Sequence, residues 1–388
     1  MLIELDYLKK FKCVGSDCLN TCCGGWSVYA QQEALDNINN KIKKLSTKKK
    51  YDNFSKAYKK FKSSNDEVYI LADKNNTCMF LDKHKLCTLH KQFHHSILPT
   101  GCQEFPRRFI YFPKSEFNSG SFGCPEISRM ALFQNRILDV VIDGKEKKSE
   151  SINFLNLNEG HDKQLDRYAI NGQKIINLIY KLFLDKNNIH LILRVVNQVT
   201  IDREYLESKP SQIEEIFFFI YEVLKKENIL SVNKDKFQLS FFKNFFSSII
   251  QDDLHLPVKK ILEKNCKDFF VNNKKSILKF KKNRILFDKL LKKHSYFEHN
   301  YFINEILGKL HCFTRKSLDS QEMIGKAILI YSISRFFCIT CLSKNNEKNI
   351  EYDFLKILSQ TTKCFDGINF RKMIQLNKNI FNELILLF

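Results

Sequence analysis

Cysteine is the residue type here with the most chemical potential, and it is unevenly spread. Of 13 cysteines in 388 residues, eight precede residue 125: Cys13, Cys18, Cys22, Cys23, Cys78, Cys87, Cys102 and Cys124. Cys13-x4-Cys18-x3-Cys22-Cys23 sets four thiols within eleven residues, around Gly15 and just before Gly24-Gly25. Crowded thiolates repel one another and add little apolar area, so this packing points to a cation that neutralises them. Adjacent Cys22 and Cys23 argue against one tetrahedral zinc, because neighbouring side chains diverge. An iron–sulfur cluster relaxes that constraint, since its ligands attach to different irons, and so does a pair of separate sites.

The remaining four are more widely spaced. Cys78-Met-Phe-Leu-Asp82 and Leu86-Cys-Thr-Leu89 flank Lys83-His84-Lys85, which predicts a short β-hairpin or knuckle with one thiol on each arm. Gly101-Cys102 and Gly123-Cys124-Pro125 share a local chemistry: a glycine before a ligand lets backbone approach a metal, and a proline after it turns the chain away. All eight cysteines are candidate metal ligands. His84, His90, His94 and His95 lie among them and are expected as exposed polar side chains rather than ligands. Arg107 and Arg108 follow Cys102 closely, placed either to face an anionic thiolate cluster or to hold a carboxylate. The other five cysteines, Cys266, Cys312, Cys338, Cys341 and Cys364, are expected as small core residues, Cys338-Ile-Thr-Cys341 included.

Positioning such a module falls to the surrounding elements. Six of the 12 glycines and four of the 6 prolines precede residue 126, so loop-rich chain dominates the N-terminal third. Beyond about residue 163 the pattern turns helical: Ile175, Leu178, Ile179, Leu182 and Phe183 share one face, as do Ile213, Ile216, Phe217, Ile220 and Leu224 behind a Pro210-Ser211 cap. The expected fold class is mainly α, a small irregular cysteine-rich α+β metal-binding module followed by an α-helical domain. The expected division is 1–142 for the module, 143–162 for a polar linker and 163–388 for the helices.

Composition removes several function classes. Hydrophobic residues at 44% and charged residues at 27% exclude wholesale disorder. The net charge of +20 invites a nucleic-acid reading, yet only 11 of 63 basic residues are Arg and no aromatic stacking motif accompanies them, so no specific nucleic-acid partner is expected. The Lys41–Lys50 run reads as a solvated helix end. Acidic residues stand where a secretory leader needs an apolar run. The longest apolar stretch, Ala327–Leu342, is broken by Arg335 and two serines and falls short of the roughly 20 residues of a membrane span. The expectation is a cytoplasmic protein with no membrane span, in a reducing compartment where thiols bind metal rather than pair.

Phe11-Lys-Cys-Val-Gly-Ser-Asp-Cys-Leu-Asn-Thr-Cys-Cys-Gly-Gly-Trp-Ser-Val28 resembles the opening motif of the flagellin lysine-N-methylase family. The likeness continues through Cys78-Met-Phe-Leu-Asp82, Leu86-Cys87 and Cys102-Gln-Glu-Phe-Pro-Arg107 to Cys124, about 30% of the chain. The resemblance implies a cytoplasmic enzyme that methylates lysine ε-amino groups of flagellin, with S-adenosylmethionine as cosubstrate and an iron–sulfur cluster, 4Fe-4S first and zinc as the alternative. A non-catalytic iron- or zinc-chelating protein is the rival reading. No Gly-x-Gly occurs, so the glycine turn of a doubly wound nucleotide site is missing. Nor is the radical S-adenosylmethionine spacing present, because Cys23 follows Cys22 at once. A lysine must lose a proton before it attacks a methyl group, its free pKa being about 10.4. Asp17, Glu104 and Tyr111 are conceivable bases, and none is assigned.

Overall fold

The computed structural model describes residues 1–25, 29–45, 59–62, 67–70, 77–93, 95–112, 115–146, 163–185, 188–227, 234–248, 256–271, 273–314, 320–342 and 349–366. Its strands are β1 (Leu2–Leu5), β2 (Tyr29–Gln31), β3 (Lys59–Lys62), β4 (Glu67–Ile70), β5 (Arg107–Phe112), β6 (Ser115–Gly120), β7 (Val140–Ile142) and β8 (Lys145–Glu146). They form a five-stranded sheet in the order β5-β6-β1-β7-β8 and a three-stranded sheet in the order β2-β4-β3. In the larger sheet β5 and β6 form an antiparallel hairpin, Arg107 opposite Gly120 and Phe112 opposite Ser115. β1 runs parallel to β6 and antiparallel to β7. Its Ile3 and Leu5 are fully buried, the alternation of a strand with one face inward. Among the described strands only β1 and β6 pair in parallel, so this is no doubly wound sheet, in keeping with the missing glycine turn.

Helices make up most of the other described residues, and the chain is mainly α with a small α+β module at its N-terminal side. The Lys163–Leu184 helix buries the expected face, Ile175, Leu178, Ile179, Leu182 and Phe183. The Ile213–Lys226 helix buries Ile213, Phe217 and Ile220 and half-buries Ile216 and Leu224, although its N-cap is Gln212 rather than Ser211, with Pro210 and Ser211 in the turn before it. The lysine run does end a helix: Gln32–Leu45 closes on exposed Lys41, Lys43 and Lys44, favourably set against its C-terminal dipole. Residues 46–50 lie outside the described residues.

Ser320–Cys341 corrects one expectation. The helix starts seven residues before the apolar run, and at 22 residues it is long and apolar enough to cross a bilayer. Here it is surrounded by protein, 89% of its most apolar window being buried. A helix apolar all round belongs in a core, and phenylalanines line it: Phe336 stacks on Phe242 at 4.2 Å and lies near Phe270 and Phe280.

Two apolar cores result. The larger holds Ile3, Leu5, Phe117, Phe122, Cys124 and Val140 together with the helices as far as Phe365. The smaller holds Ala30, Leu35, Ile38, Cys78, Phe80, Leu89, Ile97 and Leu98, with Cys23, Cys87 and Cys102 packed against it. Residues on both sides of the expected 143–162 linker therefore share one core. Lys145–Glu146 of that stretch is β8, and 147–162 lies outside the described residues.

Candidate metal centre

The first cysteine loop is shaped by short-range backbone bonds. Gly15, at φ +59°, opens a 3-10 turn, and the Cys18 thiol donates to the Asn20 carbonyl at 3.3 Å. Gly25 adopts φ +87°, a conformation that L side chains resist, and this turns the chain after Gly24. Just before it, Gly24 forms a β-bridge with Thr77, and the Cys78 amide donates to the Cys23 carbonyl at 2.7 Å. That bridge joins the first cysteine group to the second.

The expected knuckle is present. Leu81 bridges to Cys87, the Asp82 amide donates to the Leu86 carbonyl at 2.9 Å, and Lys85 takes φ +61° at the tip. Asp82 organises it by accepting from the His84 and Leu86 amides. Lys91, then the Leu86 amide, hold its carboxyl down at about 2. Cys102 sits on the short Thr100–Glu104 helix, where a Cβ on Gly101 would meet open space, so that glycine is not needed for close approach. Cys124 occupies the N-cap of the Pro125–Leu132 helix; the proline starts a helix, its missing N–H being one that would have no helical partner, rather than turning the chain away.

The sulfurs gather around the Cys22-Cys23 turn. Cys22 Sγ and Cys23 Sγ lie 3.9 Å apart. Cys23 also shares a hydrogen bond with Cys78, and Cys22 interacts electrostatically with Cys18, Cys87 and Cys102. The two adjacent cysteines share Cys87 as a neighbour, Cys23 adding Cys78 and Cys22 adding Cys18 and Cys102. Cys124 faces Cys18 and Cys13. Six of these thiols, Cys18, Cys22, Cys23, Cys87, Cys102 and Cys124, are shifted towards the protonated form. Hydrogen bonding to Cys23 pushes Cys22 far up, and burial raises Cys18 and Cys87. Burial lifts Cys102 to about 12; it does the same to Cys124 over the opposing pull of the Ile127 and Glu126 amides. For Cys23 the bond to Cys22 pulls down, but the bond to Cys78 and burial outweigh it, giving about 12. Among the described residues no three His, Cys, Asp or Glu side chains already stand in coordination geometry.

The other candidates separate from this cluster. His84, His90 and His95 are exposed, and His94, like Trp26, Ser27 and Val28, lies outside the described residues. Arg108 pairs with Glu305 at 2.7 Å. Arg107 lies over the Phe11 ring. Asp17 and Tyr111 are exposed and Glu104 is half-buried. Cys266, Cys312, Cys338 and Cys364 are buried core residues, and half-buried Cys341 accepts from Asn265 at 2.8 Å.

Sequence reasoning missed two residues of the Ile350–Asp366 helix. Ser359 Oγ donates to the Gly123 carbonyl at 2.7 Å and accepts from Asn20 Nδ2 at 2.8 Å. Lys363 Nζ donates to the carbonyls of Thr21 at 2.6 Å and Gly24 at 3.1 Å. Burial lowers its pKa to about 8, and Cys22, Cys18, Cys124 and Cys23 resist that fall.

Compared with known proteins, the chain is similar to the "Lysine-N-methylase" proteins of Salmonella typhimurium (strain LT2) and Salmonella choleraesuis (strain SC-B67), at 28% identity over 142 residues in each case. The match takes in 33% of this chain and spans about a third, 32%, of the length of each of those relatives. It is likewise 28% identical over 142 residues to the "Flagellar biosynthetic protein FliU" of Salmonella muenchen, covering 75% of that protein. No family model matches the chain, and no solved structure matches it.

Proposed function

We propose that this protein is a lysine N-methylase acting on flagellin, with S-adenosylmethionine as methyl donor and a cysteine-ligated iron–sulfur cluster. The observation that carries the reading is the meeting of two remote cysteine groups at the Cys22-Cys23 turn, made by the Gly24 to Thr77 bridge and the Cys23 to Cys78 contact. The partial likeness to lysine-N-methylases and to a flagellar biosynthetic protein supports the choice of reaction and substrate.

The donor set fits a thiophilic centre. It is all sulfur and anchored on short turns, and burial and mutual contact raise the Cys22, Cys23, Cys102 and Cys124 thiols further above neutrality. Cys22, Cys23, Cys78, Cys87 and Cys102 would hold such a centre on one side and Cys13, Cys18 and Cys124 on the other. A bound cluster would supply a sulfur-ligated site for polarising or orienting the sulfonium. The protein's part is to release thiol protons on loading, to fix the Cys22-Cys23 turn and to exclude water with the Phe80, Leu89 and Ile97 core beneath it.

The test is anaerobic purification followed by incubation with flagellin and S-adenosylmethionine. The expected result is methyl-sized mass gain on flagellin lysines and broad visible absorption from thiolate-to-iron charge transfer. An intact, coloured protein that leaves flagellin unmodified removes the enzyme reading in favour of metal handling. Colourless protein with bound zinc replaces the cluster.

A further inference from the structure

The candidate sulfur ligands lie where the two apolar cores meet. Cys78 belongs to the smaller core, with Cys23, Cys87 and Cys102 packed on it, whereas Cys124 belongs to the larger. The Ile350–Asp366 helix sends Ser359 and Lys363, one helical turn apart, into that meeting place. Ser359 ties the Gly123-Cys124 turn to Asn20, and Lys363 ties Thr21 to Gly24, bracketing Cys22 and Cys23. The lysine stem packs on Gly25, its Cδ 3.5 Å from where a Cβ would stand. Ser359 is fully buried and Lys363 is 2% exposed.

Burying an ammonium is costly unless opposite charge compensates it. Two carbonyl dipoles compensate in part, and a methionine of similar length would fill the same space without that cost. Lys363 lies against the thiols of Cys22, Cys18, Cys124 and Cys23, which on metal loading would become the anionic neighbour that offsets a buried ammonium. Thiolates on a cation are such a neighbour, since four of them outweigh a divalent ion.

Resting on the metal reading above, we infer that Lys363 is a positioning residue of the metal centre, which is therefore built from both ends of the chain. Its hydrogen bonds hold the Cys22-Cys23 turn in place, and its charge offsets the negative charge that metal loading creates. Ser359 does the corresponding mechanical work at the Cys124 turn.

The test is titration of the full-length reduced protein with Co2+ alone, without oxygen, following thiolate-to-cobalt charge-transfer absorption and bound metal. Lys363→Met is expected to weaken apparent affinity about tenfold to a hundredfold, the cost typical of removing a partner that orients metal ligands, while the far-UV helical signal persists. Lys363→Arg, which keeps the charge, restores most of the loss and the wild-type spectrum. A Lys363→Met protein with wild-type affinity and spectrum removes the role of Lys363 and leaves the metal reading standing. So does Lys363→Arg binding no better than Lys363→Met. If Lys363→Met loses its helical signal, Ser359→Ala takes its place: weaker cobalt binding supports the two-ended centre, and unchanged binding overturns it. Wild-type protein that takes up no cobalt overturns the metal reading and this role with it.

Discussion

Cys102 and Cys124 keep their protons because a thiolate in their surroundings would be poorly solvated, and this makes the metal-free protein sensitive to alkali. Their pKa values rise from about 9 to about 12 on folding, so folded protein binds more protons than unfolded chain in that window. The stabilisation is complete below about pH 9 and is lost as pH climbs through about 12. Denaturant midpoints of the metal-free protein should therefore fall between pH 8 and 11, and fall less in a Cys102→Ser, Cys124→Ser double variant. Loading with metal should flatten the decline, since bound thiolates have already shed their protons. An equal alkaline loss in the double variant would show that other groups carry it. The eight N-terminal cysteines and their knuckle were legible in the sequence because their spacing and turns are local. Lys363 was not: it reaches Thr21 across 342 positions, and one lysine among 52 carries no signal of its own.

Between elements, the Phe297–Leu307 helix fastens the five-stranded sheet to the helical body with asparagines. Asn304 Nδ2 donates to the Gly120 carbonyl at 2.8 Å, and its Oδ1 accepts from the Gly120 amide and from Tyr7 Oη. One turn earlier Asn300 holds the Ala131 and Arg136 carbonyls and the Leu138 amide. Polar side chains with no sequence periodicity made this seam unreadable, although the apolar periodicity of the helices beyond it was plain. The other close seam lies at Gly172, inside the Lys163–Leu184 helix, where an added Cβ would collide with the Phe313 carbonyl that Arg203 also binds. Glycine to alanine in a free helix gains about 1 kcal/mol. Here the sign should reverse, with Gly172→Ala costing about 1 to 3 kcal/mol in denaturant unfolding, as overpacking does. A stabilised variant would mean that the helix and the Phe313 turn are not in contact.

Over the whole molecule, the larger core runs from β1 to the Ile350–Asp366 helix, so a boundary drawn at the polar stretch after residue 142 separates residues that pack together. Composition marked that stretch, but long-range strand pairing is invisible to composition. A buried charge group lies across the same junction: Glu305, 3% exposed, binds Arg108 and Lys309. Burial pushes its carboxyl up, but Arg108 and Lys309 outweigh burial and bring it to about 2. Its stabilisation is present above about pH 4.5 and disappears as pH falls toward 2. Glu305→Gln should cost about 3 kcal/mol at pH 7, because it takes the carboxylate from buried Lys309 and half-buried Arg108, and should remove part of the acid sensitivity. Equal acid sensitivity in the two proteins would discount the group. The contact between Lys363 and Thr21 also sets an order of events during translation. The cysteine loop leaves the ribosome 342 residues before its clamp, a delay of roughly 20 to 70 s at ordinary elongation rates. Throughout that interval the nascent thiols are open to oxidants and to whichever cation reaches them first, so a centre of the proposed kind would take its metal from the host's supply rather than by selection in the finished fold.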